Sequence, residues 1–190
     1  MKFKGTQKLF PTTIWGFEYE EDLTPYVKML YHMRDYKNMG KFGDEAAFYS
    51  RGSWQSPELT QIEEFSGLFS NIGKSLAEAM IKNPDDRPMT QIKFKEAWGN
   101  INPTGTNIGE HLHIGSDYSG IIYLQATEKS GNINFRDPRV QYEVLFQTMD
   151  FSVTPYTGRC VVFPSWLRHS VDINKTEQDR IGIAFNINVK

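Results

Sequence analysis

Hydrophobic positions between residues 59 and 80 follow a helical period. Leu59, Ile62, Phe65, Phe69, Ile72, Leu76 and Met80 recur at spacings of three and four, which gives a helix one apolar side. Ser56 is placed to cap it and Pro57 to occupy its first position. Asn83-Pro84 ends it, because a residue before proline avoids the helical region. A shorter helix is expected over about Thr24 to Asn38, opened by Pro25 and followed by Gly40. After residue 90 the pattern changes to short runs separated by Gly, Asn, Pro and Asp. Strands are expected at Met89–Trp98, Gly109–Ile114, Ser119–Gln125, Asn132–Phe135, Phe151–Thr154, Arg159–Phe163, His169–Ile173 and Arg180–Val189. Many short strands in one block argue for a sandwich or jelly roll, with the N-terminal helices on one sheet face.

Composition narrows the picture. A length of 190 residues with 39% hydrophobic and 14% aromatic side chains suits one packed domain and excludes a disordered chain. The domain expectation is a single unit over 1–190, with 1–88 as helical support and 89–190 as the jelly-roll core. A net charge of −2 gives no basic footprint for bulk nucleic-acid binding. No apolar run approaches the roughly 18 residues that cross a bilayer. The Met-Lys-Phe-Lys opening is not followed by the apolar run of a secretory leader, so a cytoplasmic protein without membrane partners is expected. A single cysteine, Cys160, excludes an internal disulfide and thiolate-clustered zinc. It lies in an apolar run and reads as an inert buried thiol.

The chemistry sits in the histidines. Two of the four, His111 and His113, flank Leu112 in Gly109-Glu-His-Leu-His-Ile-Gly115. On a strand such a pair shares one face and can grip one metal ion. A pair of hydrogen-bonded surface histidines fits an isolated His-x-His equally well. His169 opens another strand 56 residues later, and a jelly roll can bring strands so distant together. Arg180 then begins a strand with two unlike faces. Ile181, Ile183, Phe185 and Ile187 form an apolar one, while Arg180, Gly182, Ala184 and Asn186 form one with space and a cation. A guanidinium there can bind a ligand carboxylate through two parallel hydrogen bonds. His32 has no such partners.

Glu-His-Leu-His, Tyr-Ser-Gly-Ile-Ile-Tyr-Leu, Gly-Asn-Ile-Asn-Phe-Arg-Asp-Pro-Arg, Val-Phe-Pro-Ser-Trp-Leu-Arg-His-Ser-Val and Arg-Ile-Gly-Ile-Ala-Phe-Asn follow one another in this order. Together with the early Leu-Phe-Pro-Thr-Thr-Ile and Ser-Trp-Gln-Ser, they resemble the 2-oxoglutarate/iron(II) oxygenases of bacteria and their phages. The resemblance spans nearly the whole chain. It implies a double-stranded β-helix (jelly roll, cupin-like) and a dioxygenase using Fe(II), 2-oxoglutarate and O2. The implied reaction is hydroxylation of an unactivated C–H bond, with release of succinate and CO2.

Carried onto this sequence, the resemblance makes His111, His113 and His169 the metal ligands and Arg180 the partner of the far carboxylate of 2-oxoglutarate. The wider superfamily has Asp or Glu where His113 stands. A three-histidine site is the preferred registration. A second takes His113 as the first ligand and leaves Gly115 at the acid's position, a vacancy that a halide fills in halogenases. Asp117 and Asp137 are spare carboxylates within possible reach, whereas Glu110 should point away. Gly182 replaces a serine that usually helps Arg180, so Tyr123 and Asn102 are candidates for the rest of that clamp, with a core tyrosine as the competing reading of Tyr123. Asn107, Arg136 and Trp166 are candidates for substrate contact. The residues from Asp35 to Trp54 are read as a loop that could cover the mouth. The substrate is expected to be a small molecule or a peptidyl group, and a homodimer through the N-terminal segment is one expectation for assembly. A three-histidine cupin-type dioxygenase without 2-oxoglutarate, and a non-catalytic jelly-roll module, stay open beside this reading.

Overall fold

The computed structural model describes residues 11–37, 39–42, 50–82, 91–139 and 150–190. Strands β1 (Trp15–Glu18), β2 (Lys41–Phe42), β3 (Trp54–Gln55), β4 (Ile92–Asn102), β5 (Ile108–His111), β6 (Tyr118–Gln125), β7 (Ile133–Arg136), β8 (Asp150–Val153), β9 (Arg159–Pro164), β10 (His169–Val171) and β11 (Arg180–Val189) accompany helices α1 (Thr24–Asp35) and α2 (Ser66–Lys82). They form two antiparallel sheets, ordered β1-β9-β6-β11-β4-β3-β2 and β5-β10-β7-β8. Sequence-distant strands are neighbours in both, as a double-stranded β-helix requires. None of the described helices is long and apolar enough to cross a membrane.

The large sheet has two different faces. Ile181, Ile183, Phe185 and Ile187 join Ala97, Ile101, Ile122 and Leu124 against Leu30 of α1 and Leu68, Ile72 and Leu76 of α2. Each such side chain removed from water contributes about 1.5–3 kcal/mol. The opposite face looks across to the small sheet. There Val161 and Phe163 meet Ile108, Ile133, Phe135, Val153, Leu167 and Val171 in a second apolar cluster. The interior between the sheets is therefore apolar on its β9 side and polar along β4, β6 and β11.

The long helix begins at Ser66, after a single 3-10 turn over Glu63–Phe65, ten residues beyond the expected cap. Residues 56–59 are instead held along β4. Ser56 N–H donates to the Gly99 carbonyl and Leu59 N–H to that of Ala97, while Ser56 Oγ accepts from Gly99 N–H and Glu58 Oε1 from Ala97 N–H. A strand offering open backbone groups outcompetes the helical period here. The shorter helix stops at Asp35. Part of the expected covering loop is sheet, since Lys41–Phe42 pair with Trp54–Gln55; residues 43–49 lie outside those described.

Strand boundaries also shift. β4 runs on to Asn102 because β11 pairs with it from Val189↔Ile92 to Arg180↔Asn102. β5 stops at His111, short of Ile114. The His113 N–H donates to the Ser165 carbonyl, and Gly115 turns the chain at φ +84°. β10 ends at Val171, before the expected Ile173.

Candidate metal centre

β5 and β10 are paired so that His111 and His169 are direct cross-strand partners. Their rings lie 4.2 Å apart between centroids, and the His113 ring stands 5.1 Å from His111 and 5.3 Å from His169. One nitrogen from each imidazole lies within 4.8 Å of the others, a grouping that could hold a metal ion. His113 lies just past the end of β5, so its backbone bond to the Ser165 carbonyl, not strand alternation, turns it toward its partners.

Two of the rings are locked by their own backbone. His111 Nδ1 lies 2.8 Å from the Gly109 carbonyl and His169 Nδ1 3.0 Å from that of Leu167. A carbonyl accepts, so each Nδ1 carries the proton and each Nε2 keeps its lone pair for a metal. Packing fixes the same orientation. Phe163 lies 4.7 Å from the His169 ring, edge-on, and Trp98 lies 5.8 Å from His113. Burial holds all three in the neutral form. It lowers the pKa of His111, brings His113 down to about 4 and takes His169 down to about 3, the last two also opposed by the neighbouring His111.

At the other end of the interior sits Arg180, only 2% exposed. Its Nη1 donates to the Ser130 carbonyl at 2.5 Å and to that of Asp172 at 2.9 Å, which fixes the guanidinium plane. Asn102 is its partner across β4, and Gly182, two residues on, pairs with both Asn100 and Tyr123. Tyr123 is fully buried, and burial pushes its phenol up to about 12 against the influence of Arg180 and Arg159. It is therefore a neutral O–H donor. Tyr123 Oη, Asn100 Oδ1 and Asn102 Oδ1 are buried without hydrogen-bond partners among the described residues. Such groups cost about 1–3 kcal/mol each unless something meets them. The Arg180 guanidinium and the Tyr123 O–H are donors and suit a carboxylate, whereas the two amide oxygens are acceptors and suit a donor.

Gly182 explains the missing serine. A bulge between Ile181 and Gly182 brings the Ile122 carbonyl to 2.9 Å, and the Ile121 side chain to 3.3 Å, of where a Cβ would stand. A serine would have to move backbone.

Residues 96–186 match the family model described as "Putative 2OG-Fe(II) oxygenase". That segment is similar to the 2OG-Fe(II) oxygenase family. No curated protein sequence matches the chain. Among solved structures, a prolyl-4-hydroxylase from Pseudomonas putida is similar at 15% identity and TM-score 0.64, with 94% of each chain covered. HygX from Streptomyces hygroscopicus, solved with nickel, 2-oxoglutarate and hygromycin B, has 13% identity and TM-score 0.61 over 93% of this chain and 83% of its own. The epimerase SnoN of nogalamycin biosynthesis has 10% identity and TM-score 0.69 over 93% and 77%. At these identities the likeness is one of fold, and the fold is the double-stranded β-helix expected from the sequence.

The fold brings His111, His113 and His169 together, and sets Arg180, Tyr123 and Asn102 on one inner face. The spare carboxylates do not join them. Asp117 Oδ2 accepts the Val189 N–H at 2.9 Å, and Asp137 is bound by the Arg139 side chain and N–H. Both therefore serve backbone and turn, and neither falls in the metal-holding group. Glu110 faces outward to Arg136 and Arg168. Asn107 N–H donates to Ser50 Oγ, while Trp166 is 54% exposed. Separately, a cavity of about 700 Å3 opens between β1, β7, β8 and β9, with Phe135, Arg136, Asp137 and Leu167 among its walls.

A polar chain beside His113 has no counterpart in the sequence reading. Ser165 Oγ and Ser119 Oγ lie 2.9 Å apart, Ser119 Oγ donates to Asn186 Oδ1 at 2.6 Å, and Asn186 Nδ2 donates to Glu96 Oε1 at 2.8 Å. The alternation of β11 placed Asn186 on the inner face. No spacing in the sequence pointed to Glu96.

Proposed function

We propose that this protein holds Fe(II) through His111, His113 and His169 and binds 2-oxoglutarate with Arg180, Tyr123 and Asn102. With O2 as co-substrate it hydroxylates an unactivated C–H bond of a small molecule or peptidyl group, giving succinate and CO2. One observation carries the reading: three convergent imidazoles and a buried arginine pinned by two carbonyls stand in the same fold. When bound, the iron and 2-oxoglutarate supply oxidising power that no side chain has.

The protein's own part is to bind, orient and shield. Three neutral imidazoles on one side of an ion leave its other positions for exchangeable ligands. Arg180, pinned by two carbonyls, presents a fixed fork to a carboxylate, and Tyr123 donates its O–H to the same group. Both are buried, so water competes poorly for that carboxylate. Trp166 offers an aromatic face to substrate at the mouth, and Arg136 at the end of β7 and Asn107 just before β5 extend the contact surface. Residues 1–88 and 89–190 act as one unit, the first buttressing the second.

The test is anaerobic calorimetry of metal-stripped protein with Fe(II) and then 2-oxoglutarate, with visible absorbance in parallel. The expected result is 2-oxoglutarate binding that requires iron and is lost in Arg180→Met. Iron binding without any 2-oxoglutarate binding would replace this reading with a cupin-type dioxygenase. Undiminished iron binding by His113→Ala would replace the three-histidine site with the vacant-position registration.

A further inference from the structure

The three-histidine site lacks the negative charge that a carboxylate brings to a divalent ion. The described residues contain one carboxylate wired into the wall beside His113. Glu96 lies on β4 opposite Asn186 and accepts its Nδ2–H at 2.8 Å. Asn186 is held from its other side by Ser119, which meets Ser165, and Ser165 accepts the His113 N–H. Ser119, Ser165 and Asn186 are all buried. The Glu96 carboxylate only accepts, so it turns the Asn186 amide nitrogen toward itself and leaves Oδ1 to accept from Ser119. That nitrogen can only donate, so the side chain at position 96 must present an acceptor to it.

A bulge gives Glu96 its direction. Phe94 pairs with Ile187 and Glu96 with Asn186, which makes Lys95 the extra residue. Phe94 can then pack on the helix side against Phe69 and Phe185 while Glu96 turns to the interior. Bulges commonly re-aim a side chain near a site in this way. A carboxylate tied into that wall favours a cation held by the His113 ring. The nearby opposing charge is Lys95, exposed, its Nζ on the Gly115 carbonyl at 2.9 Å.

We propose that Glu96, tied by Asn186 outside the coordination sphere, is the charge-compensating carboxylate of a metal ion bound at His111, His113 and His169. The inference rests on the three-histidine reading. Glu96 is a positioning residue, acting on the ion through the field and through the chain that ends on the His113 backbone.

The test is Co(II) titration of the metal-stripped protein at low ionic strength and again in added salt. Glu96→Gln keeps the acceptor for Asn186 and removes only the charge. It is expected to weaken Co(II) binding about tenfold, within the range seen for outer-shell partners. The gap should narrow in salt, and the cobalt absorption spectrum should keep its shape. Glu96→Asp should recover most of the loss. Asn186→Ala, which leaves the charge but unties it, should fall between wild type and Glu96→Gln, and it carries the test if Glu96→Gln does not fold. Wild-type affinity in Glu96→Gln would overturn the role of Glu96 alone. A wild-type protein that takes up no Co(II) would overturn the three-histidine reading and this inference together. A changed cobalt spectrum in Glu96→Gln would put the carboxylate on the metal and overturn the outer-sphere assignment.

Discussion

At one end of the interior three basic side chains are kept neutral, and at the other a basic side chain is kept charged. His169 and Arg180 are almost equally buried, at 5% and 2% exposure, so burial alone does not set their state. An imidazole titrates near 6.5 and sheds its proton when desolvated, whereas a guanidinium does not. The fold accordingly gives Arg180 two backbone carbonyls through Nη1 and gives each of His111 and His169 one carbonyl at Nδ1. The first arrangement satisfies a cation that stays a cation. The second fixes a tautomer and aims a lone pair. The two ends are therefore complementary, one suited to a metal and the other to an anion.

Removing one end should leave the other standing. His169→Ala should cost divalent-metal affinity at least about 100-fold, roughly 2.7 kcal/mol, with the fold retained by circular dichroism. Arg180→Met should abolish 2-oxoglutarate binding but change metal affinity by no more than about twofold. It also leaves the Ser130 and Asp172 carbonyls without their donor, so urea unfolding should show a loss of about 2 kcal/mol. Loss of metal binding in Arg180→Met would mean that the two ends are not separable.

The helical face and the inner face of β11 were both legible in the sequence, because a period of two over Arg180–Asn188 is a local signal. The three histidines and Arg180 stood out as candidates through the His-x-His spacing and through the order of motifs that carries the family resemblance. Three other features were not. The start of α2 was hidden because residues 56–59 bond to β4, a partner about forty positions away. The convergence of His113 was credited to a strand that ends at His111; a turn and the Ser165 carbonyl achieve it instead. Glu96 was invisible because strict alternation places it on the same face as Phe94, and only the bulge at Lys95 separates them. Each miss depends on a long-range backbone contact or an inserted residue, neither of which leaves a mark on local periodicity.

The contrast between the two ends should also appear in pH. The three histidines have folded-state pKa values below the ordinary 6.5, about 4 for His113 and about 3 for His169. Between those values and 6.5 the unfolded chain binds more protons than the folded one, so acid favours unfolding. Stability of the metal-free protein is thus complete above about pH 6.5 and declines as pH falls toward 4, by at most about 1.4 kcal/mol per pH unit for each histidine. Arg180 contributes nothing to this slope. Thermal melting between pH 7.5 and 5 should show the decline, and His113→Gln should flatten it. Identical slopes in the two proteins would mean that His113 is not held neutral by the fold.

The smallest effect should come from the carboxylate nearest the ligands in sequence. Glu110 adjoins His111, yet strand alternation turns it outward, where it meets Arg136 at 2.8 Å and Arg168 at 3.3 Å. All three side chains are more than a third exposed, and solvent-exposed ion pairs contribute about 0–1 kcal/mol. Glu110→Gln should therefore lower stability by less than about 1 kcal/mol and leave metal affinity within about twofold of wild type. Glu96, fourteen residues earlier on another strand, should matter more to the metal because its hydrogen bond faces the interior. Measuring both substitutions under the same ionic conditions compares position with proximity in sequence. If Glu110→Gln weakened metal binding as much as Glu96→Gln, charge anywhere near β5 would suffice, and the inward wiring of Glu96 would have no special role.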